Sequence, residues 1–141
     1  MPVPPSPATV WDGVRPPAPP SILVADDDED ILDLVAFKLR GAGYRTITAS
    51  DGLTALDLAE RERPGLMILD VSMPGLDGLT VCHAIHRSAA TWDIPVLILS
   101  ARARPYDIDL GFAIGADDYL TKPFSPTELL QRVESLLTAG K

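Results

Sequence analysis

Three short, unbroken apolar runs stand out along the chain, and each stops at an oxygen-bearing side chain. Ile22-Leu23-Val24-Ala25 stops at Asp26-Asp27, Leu66-Met67-Ile68-Leu69 at Asp70, and Val96-Leu97-Ile98-Leu99 at Ser100. Runs this short, without polar alternation, are the pattern of strands covered on both faces, as in a parallel sheet flanked by helices. Between them the periodicity changes. Ile31, Leu34, Val35 and Leu39 recur at helical spacing, and Gly41 and Gly43 close that helix. Tyr44 to Ala49, with β-branched Ile47 and Thr48, reads as a second strand. A helix is predicted from about Asp51 to Arg63, stopped by Pro64, then a strand from Leu66 to Asp70 and a helix from about Leu79 to Ser88. Pro95 to Ser100 reads as the fourth strand, Tyr106 to Ile114 as a short helix ended by Gly115, and Tyr119 to Thr121 as a short fifth strand.

The last helix is announced by Ser125-Pro126-Thr127-Glu128, a capping box with proline at the first helical position. Leu129, Leu130, Val133, Leu136 and Leu137 then form one apolar stripe. Five strand–helix units in alternation predict an α/β fold, a doubly wound parallel sheet with helices on both faces. In such sheets ligands bind outside the carboxyl ends of the strands. Asp26, Asp27, Asp70 and Ser100 are therefore expected at one edge. Three carboxylates held together repel one another, which makes a hard cation such as Mg²⁺ their natural partner.

Composition narrows this picture. The 141 residues suffice for one domain, expected over residues 21–141. Residues 1–20 differ: they hold eight of the fourteen prolines and are expected to form an extended, Pro-rich flexible tail. Within it Pro16-Pro17-Ala18-Pro19 reads as part of a solvated leader, with docking into a groove that reads polyproline as the alternative. Trp11 can pack back on the domain or on a neighbouring molecule. A net charge of −8 opposes direct nucleic-acid binding and attachment to an anionic membrane. The single cysteine, Cys82, reads as a buried helix residue and suits a reducing compartment. With no apolar stretch long enough to span a bilayer and no signal-peptide pattern, a cytoplasmic location is expected.

The acid run Asp26-Asp27-Asp28-Glu29-Asp30 divides into two parts. Asp28, Glu29 and Asp30 fall at a helix N-terminus, where acids oppose the positive dipole end. Asp26 and Asp27 terminate a buried strand and are the candidate metal ligands. Asp70 is followed by a loop, Met73-Pro74-Gly75, so it has no helix to cap; it can bind metal and can act as a nucleophile toward phosphorus. Asp77-Gly78 reads as turn and cap. Lys122, fixed beside Pro123, is expected to point into the acid cluster, and Ser100 offers a hydroxyl at the same edge. His83 and His86 lie three apart on one helix with no third ligand, and are expected to be surface residues.

Four segments in order, Ile22 through Glu29, Asp70 through Gly78, Leu99 through Arg102, and Gly115 through Phe124, together resemble the response regulator receiver domain of two-component signalling. The resemblance runs from about Ser21 to Leu137. It implies a flavodoxin-like sheet of strand order 2-1-3-4-5 and a phosphorylation-controlled switch rather than a conventional enzyme. Asp70 is then the phosphoacceptor. Asp26, Asp27, Asp70 and the backbone carbonyl of Ser72 hold Mg²⁺. Lys122 pairs with the phosphoryl group across an expected cis Lys122–Pro123 bond, and Ser100 and Tyr119 are the switch pair. Ser72 and Arg102 flank the site.

The implied partners are a sensor histidine kinase or phosphotransferase, and a downstream target protein or output domain. A homodimer through the face of the fourth helix, fifth strand and last helix is a further option. The closing segment is most like the winged-helix class of regulators, although Tyr106-Asp107-Ile108-Asp109-Leu110 carries acids where that class carries basic residues. A competing reading is a Mg²⁺-dependent phosphohydrolase or nuclease on the same scaffold.

Overall fold

The computed structural model describes residues 20–139. The Pro16–Pro19 segment and Trp11 lie outside the described residues. The elements alternate from the start: β1 (Ser21–Ala25), α1 (Glu29–Gly41), β2 (Arg45–Ala49), α2 (Gly52–Glu62), β3 (Leu66–Leu69), α3 (Gly78–His86), β4 (Val96–Ser100), α4 (Pro105–Ile114), β5 (Asp118–Thr121) and α5 (Pro126–Ala139). The strands form one parallel sheet in the order β2-β1-β3-β4-β5.

The apolar runs are continuous because both faces of the central strands are covered. Leu23, Ala25, Met67, Leu69, Val96 and Ile98 point to the side packed by Ala55 and Ala59 of α2 and by Val81, Cys82 and Ile85 of α3. Ile22, Val24, Leu66, Ile68, Leu97 and Leu99 point the other way, against Val35 and Leu39 of α1 and Leu129 and Val133 of α5. Each fully buried Leu or Ile contributes about 1.5–3 kcal/mol of transfer free energy, so these two layers are the main force holding the sheet between its helices.

Helix ends follow side-chain chemistry. Asp28, Asp51 and Asp77 cap α1, α2 and α3, each accepting from backbone N–H groups of the first turn. The helix predicted to begin at about Asp51 therefore has that residue as its cap. Arg63 (φ 45°) closes α2 ahead of Pro64, and Gly43 (φ 96°) turns the chain between α1 and β2.

Several boundaries differ from the pattern reading. Tyr44 stands outside β2 because its N–H caps α1 through the carbonyl of Leu39. Asp70 lies one residue beyond β3. The third helix ends at His86, not Ser88. Ser125 and Glu128 make only half of the expected box: the Ser125 hydroxyl accepts from Glu128 N–H (3.4 Å), while the Glu128 carboxylate faces Arg132 at 2.9 Å.

His86 is not a surface residue as expected. It is half-buried, with Nε2 3.0 Å from the carbonyl of Ile94 and Nδ1 3.9 Å from Cys82 Sγ. A methyl group at Gly115 would meet its ring at 2.8 Å, so the imidazole ties α3 to the starts of β4 and β5. His83 is exposed, and Cys82 is buried, its thiol pushed up to about 12 by burial and by the nearby Asp117 charge.

Candidate metal and phosphoryl site

β1 and β3 are neighbours, and the ladder continues one step past both. Asp26 N–H donates to Ala49 O (3.1 Å) and Asp70 N–H to Ala25 O (2.9 Å), so the backbones of these acids are pinned at the sheet edge. Asp26 and Asp70 are buried, at 2% and 6% exposure, whereas Asp27 is exposed. One carboxylate oxygen from each of Asp26, Asp27 and Asp70 lies within 4.8 Å of the others. Asp28 turns away to cap α1, while its own N–H donates to Asp26 Oδ1 at 2.9 Å. The acid run therefore divides as its pattern suggests.

The loop after Asp70 is held by close backbone approach. Asp70 Oδ1 accepts from Ser72 N–H at 3.4 Å. Gly78, the first residue of α3, rests on the carbonyl of Asp70, and a Cβ there would collide with that oxygen. Only glycine permits the helix to start this close to the acid. Asp77-Gly78 thus positions the site as well as capping a helix, a role that the bare turn signature does not disclose.

Lys122 arrives from β5. Its N–H donates to Ser100 O at 2.9 Å, the Lys122–Pro123 bond is cis, and Nζ lies 2.7 Å from Asp26 Oδ2 and 3.5 Å from Asp70 Oδ2. Burial alone would lower the lysine's pKa, but its bond to Asp26 and the charges of Asp70 and Asp26 outweigh that and hold it above its ordinary value. Asp70 is pushed up to about 6, first by burial and then by the charge of Asp26, with Lys122 opposing. A cation added to this cluster would reverse that balance. Three hard carboxylates, two of them buried and one open to solvent, suit Mg²⁺, which takes a few carboxylates and keeps some of its waters.

Ser100 and Tyr119 meet at a third residue. The buried Ser100 hydroxyl accepts from Arg102 N–H (3.1 Å), and the Tyr119 hydroxyl donates to Arg102 O (2.7 Å). Tyr119 is turned inward, 7% exposed, with its ring against Gly111 of α4, where a Cβ would come within 2.9 Å. The Arg102 guanidinium reaches Ser72 Oγ at 3.5 Å, across the mouth of the site.

At the start of α4, Arg104 grips the buried Asp107 through Nε (3.0 Å) and Nη2 (3.3 Å). Neither this clamp nor the Arg102 carbonyl was evident from sequence spacing. Arg132 is paired with Asp118 and Glu128, both at 2.9 Å, and Asp117 accepts from Val96 N–H.

Comparison with known proteins agrees with this geometry. Residues 22–134 match the family described as "Response regulator receiver domain". The chain is 47% identical over 116 residues to the alkaline phosphatase synthesis transcriptional regulatory protein PhoP of Bacillus subtilis, covering 82% of this chain and 48% of PhoP. It is 48% identical over 118 residues to the DNA-binding dual master transcriptional regulator RpaA of Synechocystis sp., covering 84% of this chain and 49% of RpaA.

Among solved structures, the receiver domain of the sensor histidine kinase PA1611 from Pseudomonas aeruginosa superposes with a TM-score of 0.80 at 30% identity, covering 86% of this chain and 99% of that one. That structure has a magnesium ion coordinated in its active-site cleft. The chain belongs to the response regulator receiver domain family of two-component systems. It spans about half the length of the curated relatives it matches. The phosphohydrolase or nuclease reading finds no support. No helix among the described residues is long and apolar enough to cross a membrane.

Proposed function

We propose that Asp70 accepts a phosphoryl group from the phosphohistidine of a sensor histidine kinase or phosphotransferase. The convergence of Lys122 and two neighbouring acids on the Asp70 carboxylate carries this reading. An Asp70 oxygen forms the new O–P bond as the P–N bond to the donor imidazole breaks; the imidazole nitrogen keeps the bonding pair and takes up a proton. Transfer of this kind needs positioning and charge neutralisation more than covalent help. Asp26, Asp27 and Asp70, with the Ser72 carbonyl, are the residues that would hold Mg²⁺, which when bound supplies neutralisation of the phosphoryl oxygens. Lys122 supplies a second positive charge.

The acyl phosphate adds about 1.5–2 negative charges at the edge. Its oxygens accept a hydrogen bond from the Ser100 hydroxyl and draw that side chain away from Arg102 N–H, which now donates to it. Losing that bond loosens the loop whose carbonyl holds Tyr119, and the surface of α4, β5 and α5 changes with it. A useful switch requires a few kcal/mol of bias toward the phosphorylated state. That surface would contact a target protein or output domain. A homodimer across it would use the exposed Tyr106 and Phe112, because Arg132 is engaged within its own chain. PhoP and RpaA are named as transcriptional regulators, which favours an output at DNA, but a net charge of −8 argues that this chain is not itself the DNA-binding surface. The reading places the protein in the cytoplasm, which its one free cysteine suits.

The test is incubation with acetyl phosphate and Mg²⁺ followed by intact mass measurement. One phosphoryl adduct is expected, labile to hydroxylamine and absent in Asp70→Ala. An adduct that survives Asp70→Ala would place the acceptor elsewhere.

A further inference from the structure

At the end of the sheet opposite Asp70, the described residues form a cleft of about 330 Å³ lined by Arg63, Pro64, Gly65, Trp92, Asp93 and Pro95, among others. Neither metal binding nor phosphoryl transfer uses it. Trp92 stands 63% exposed on its rim, in the connection between α3 and β4. The chain enters the fold beside this cleft. Pro20 precedes β1, a Cβ at Gly65 would come within 3.1 Å of the Pro20 side chain, and Gly65 N–H donates to Ser21 O at 2.8 Å.

The residues immediately before Pro20 read Arg15-Pro16-Pro17-Ala18-Pro19. Proline-rich segments are stiff and extended at about 3.1 Å per residue, and dock on aromatic-lined grooves at little further entropic loss. Four such residues reach roughly 12 Å from Pro20, enough to run from Gly65 along the cleft. The segment carries one positive charge, Arg15, and the cleft lining holds an acid, Asp93.

We propose that the cleft is the docking site for the chain's own segment Arg15–Pro19, with its proline rings on Trp92. The contact is intramolecular because the attachment point lies at the cleft wall, so the effective concentration of the segment there is high. It lies at the N-terminal ends of β3 and β4 and leaves the acid edge free.

The test uses the full chain carrying Trp11→Phe, so that Trp92 is the only tryptophan. Its acrylamide quenching is compared with that of the same chain carrying Pro16→Gly, Pro17→Gly and Pro19→Gly. The docked segment should shield Trp92, and the three substitutions should raise its quenching constant about twofold or more, unchanged over a hundredfold dilution. In amide NMR spectra the same substitutions should move Gly65, Trp92 and Asp93 and leave Asp70 in place. Equal quenching in the two chains would overturn the proposal. So would shielding that disappears on dilution, which would assign the occupant to a second molecule, and so would NMR shifts confined to a different surface.

Discussion

Lys122 Nζ donates to Asp26 Oδ2 at 2.7 Å, and this bond joins the last strand of the sheet to the first. Asp26 is 2% exposed, and among the described residues Lys122 is the one cation against its second oxygen. Lys122→Met should therefore leave two buried acids in mutual repulsion. Breaking a buried pair by removing one member typically destabilises by about 3–5 kcal/mol, and the lysine's 16% exposure points to the lower end. Urea unfolding without metal measures this, and added Mg²⁺ should recover part of the loss. A variant as stable as the parent would show that the bond does not hold the edge together.

The acidity of Asp70 gives a pH dependence. Its folded-state pKa, about 6, lies above its unfolded value of 3.8, so the metal-free folded protein binds more protons between those values. Metal-free stability from this group should rise as pH falls from 7 toward 4, opposite to a salt-bridged acid. Mg²⁺ binding should weaken over the same descent and release protons near pH 6, which calorimetry in buffers of different ionisation enthalpy detects. Asp70→Asn should abolish both effects.

Asp27 and Asp30 separate the proposed ligand set from the rest of the acid run. Asp27 offers an oxygen within 4.8 Å of those of Asp26 and Asp70, while Asp30 lies in the exposed first turn of α1. Asp27→Ala should weaken Mg²⁺ binding by at least about 10–100-fold, the range seen even for residues one shell out from a metal. Asp30→Ala should change it less than about twofold. Titration by fluorescence or calorimetry tells them apart, and equal losses would mean that the run only attracts counterions.

Gly111 gives space to Tyr119. A methyl there comes within 2.9–3.0 Å of the ring edge, so Gly111→Ala should displace the ring and weaken its bond to Arg102. Overpacking of about 1–3 kcal/mol is partly offset by alanine's helix preference of about 1 kcal/mol. Stability should fall by no more than about 2 kcal/mol, while the Arg102 and Ser100 amide resonances move. Unmoved resonances would show that the ring has room to spare.

The central strands were legible because burial on both faces leaves polar residues only at strand ends, Ser21 opening β1 and Ser100 closing β4, and the acids were legible because they stand where those runs stop. Contacts made in three dimensions were not. His86 looks like a solvated helix residue until the turn ahead of β4 brings the Ile94 carbonyl to it. The Ser125–Glu128 spacing suggests a reciprocal cap, but Arg132 four residues on offers Glu128 a charged partner instead. The Arg102 carbonyl, a backbone group, has no sequence signature at all, yet it holds Tyr119.

The cation and the acid that it steadies are 96 positions apart in the chain. No fragment, and no nascent polypeptide still lacking its fifth strand, can assemble this charge arrangement, because the ammonium arrives only when the sheet is complete. The charge balance of this edge is thus a readout of finished folding: a half-made molecule carries bare repelling acids, and only the closed sheet brings their counter-charge.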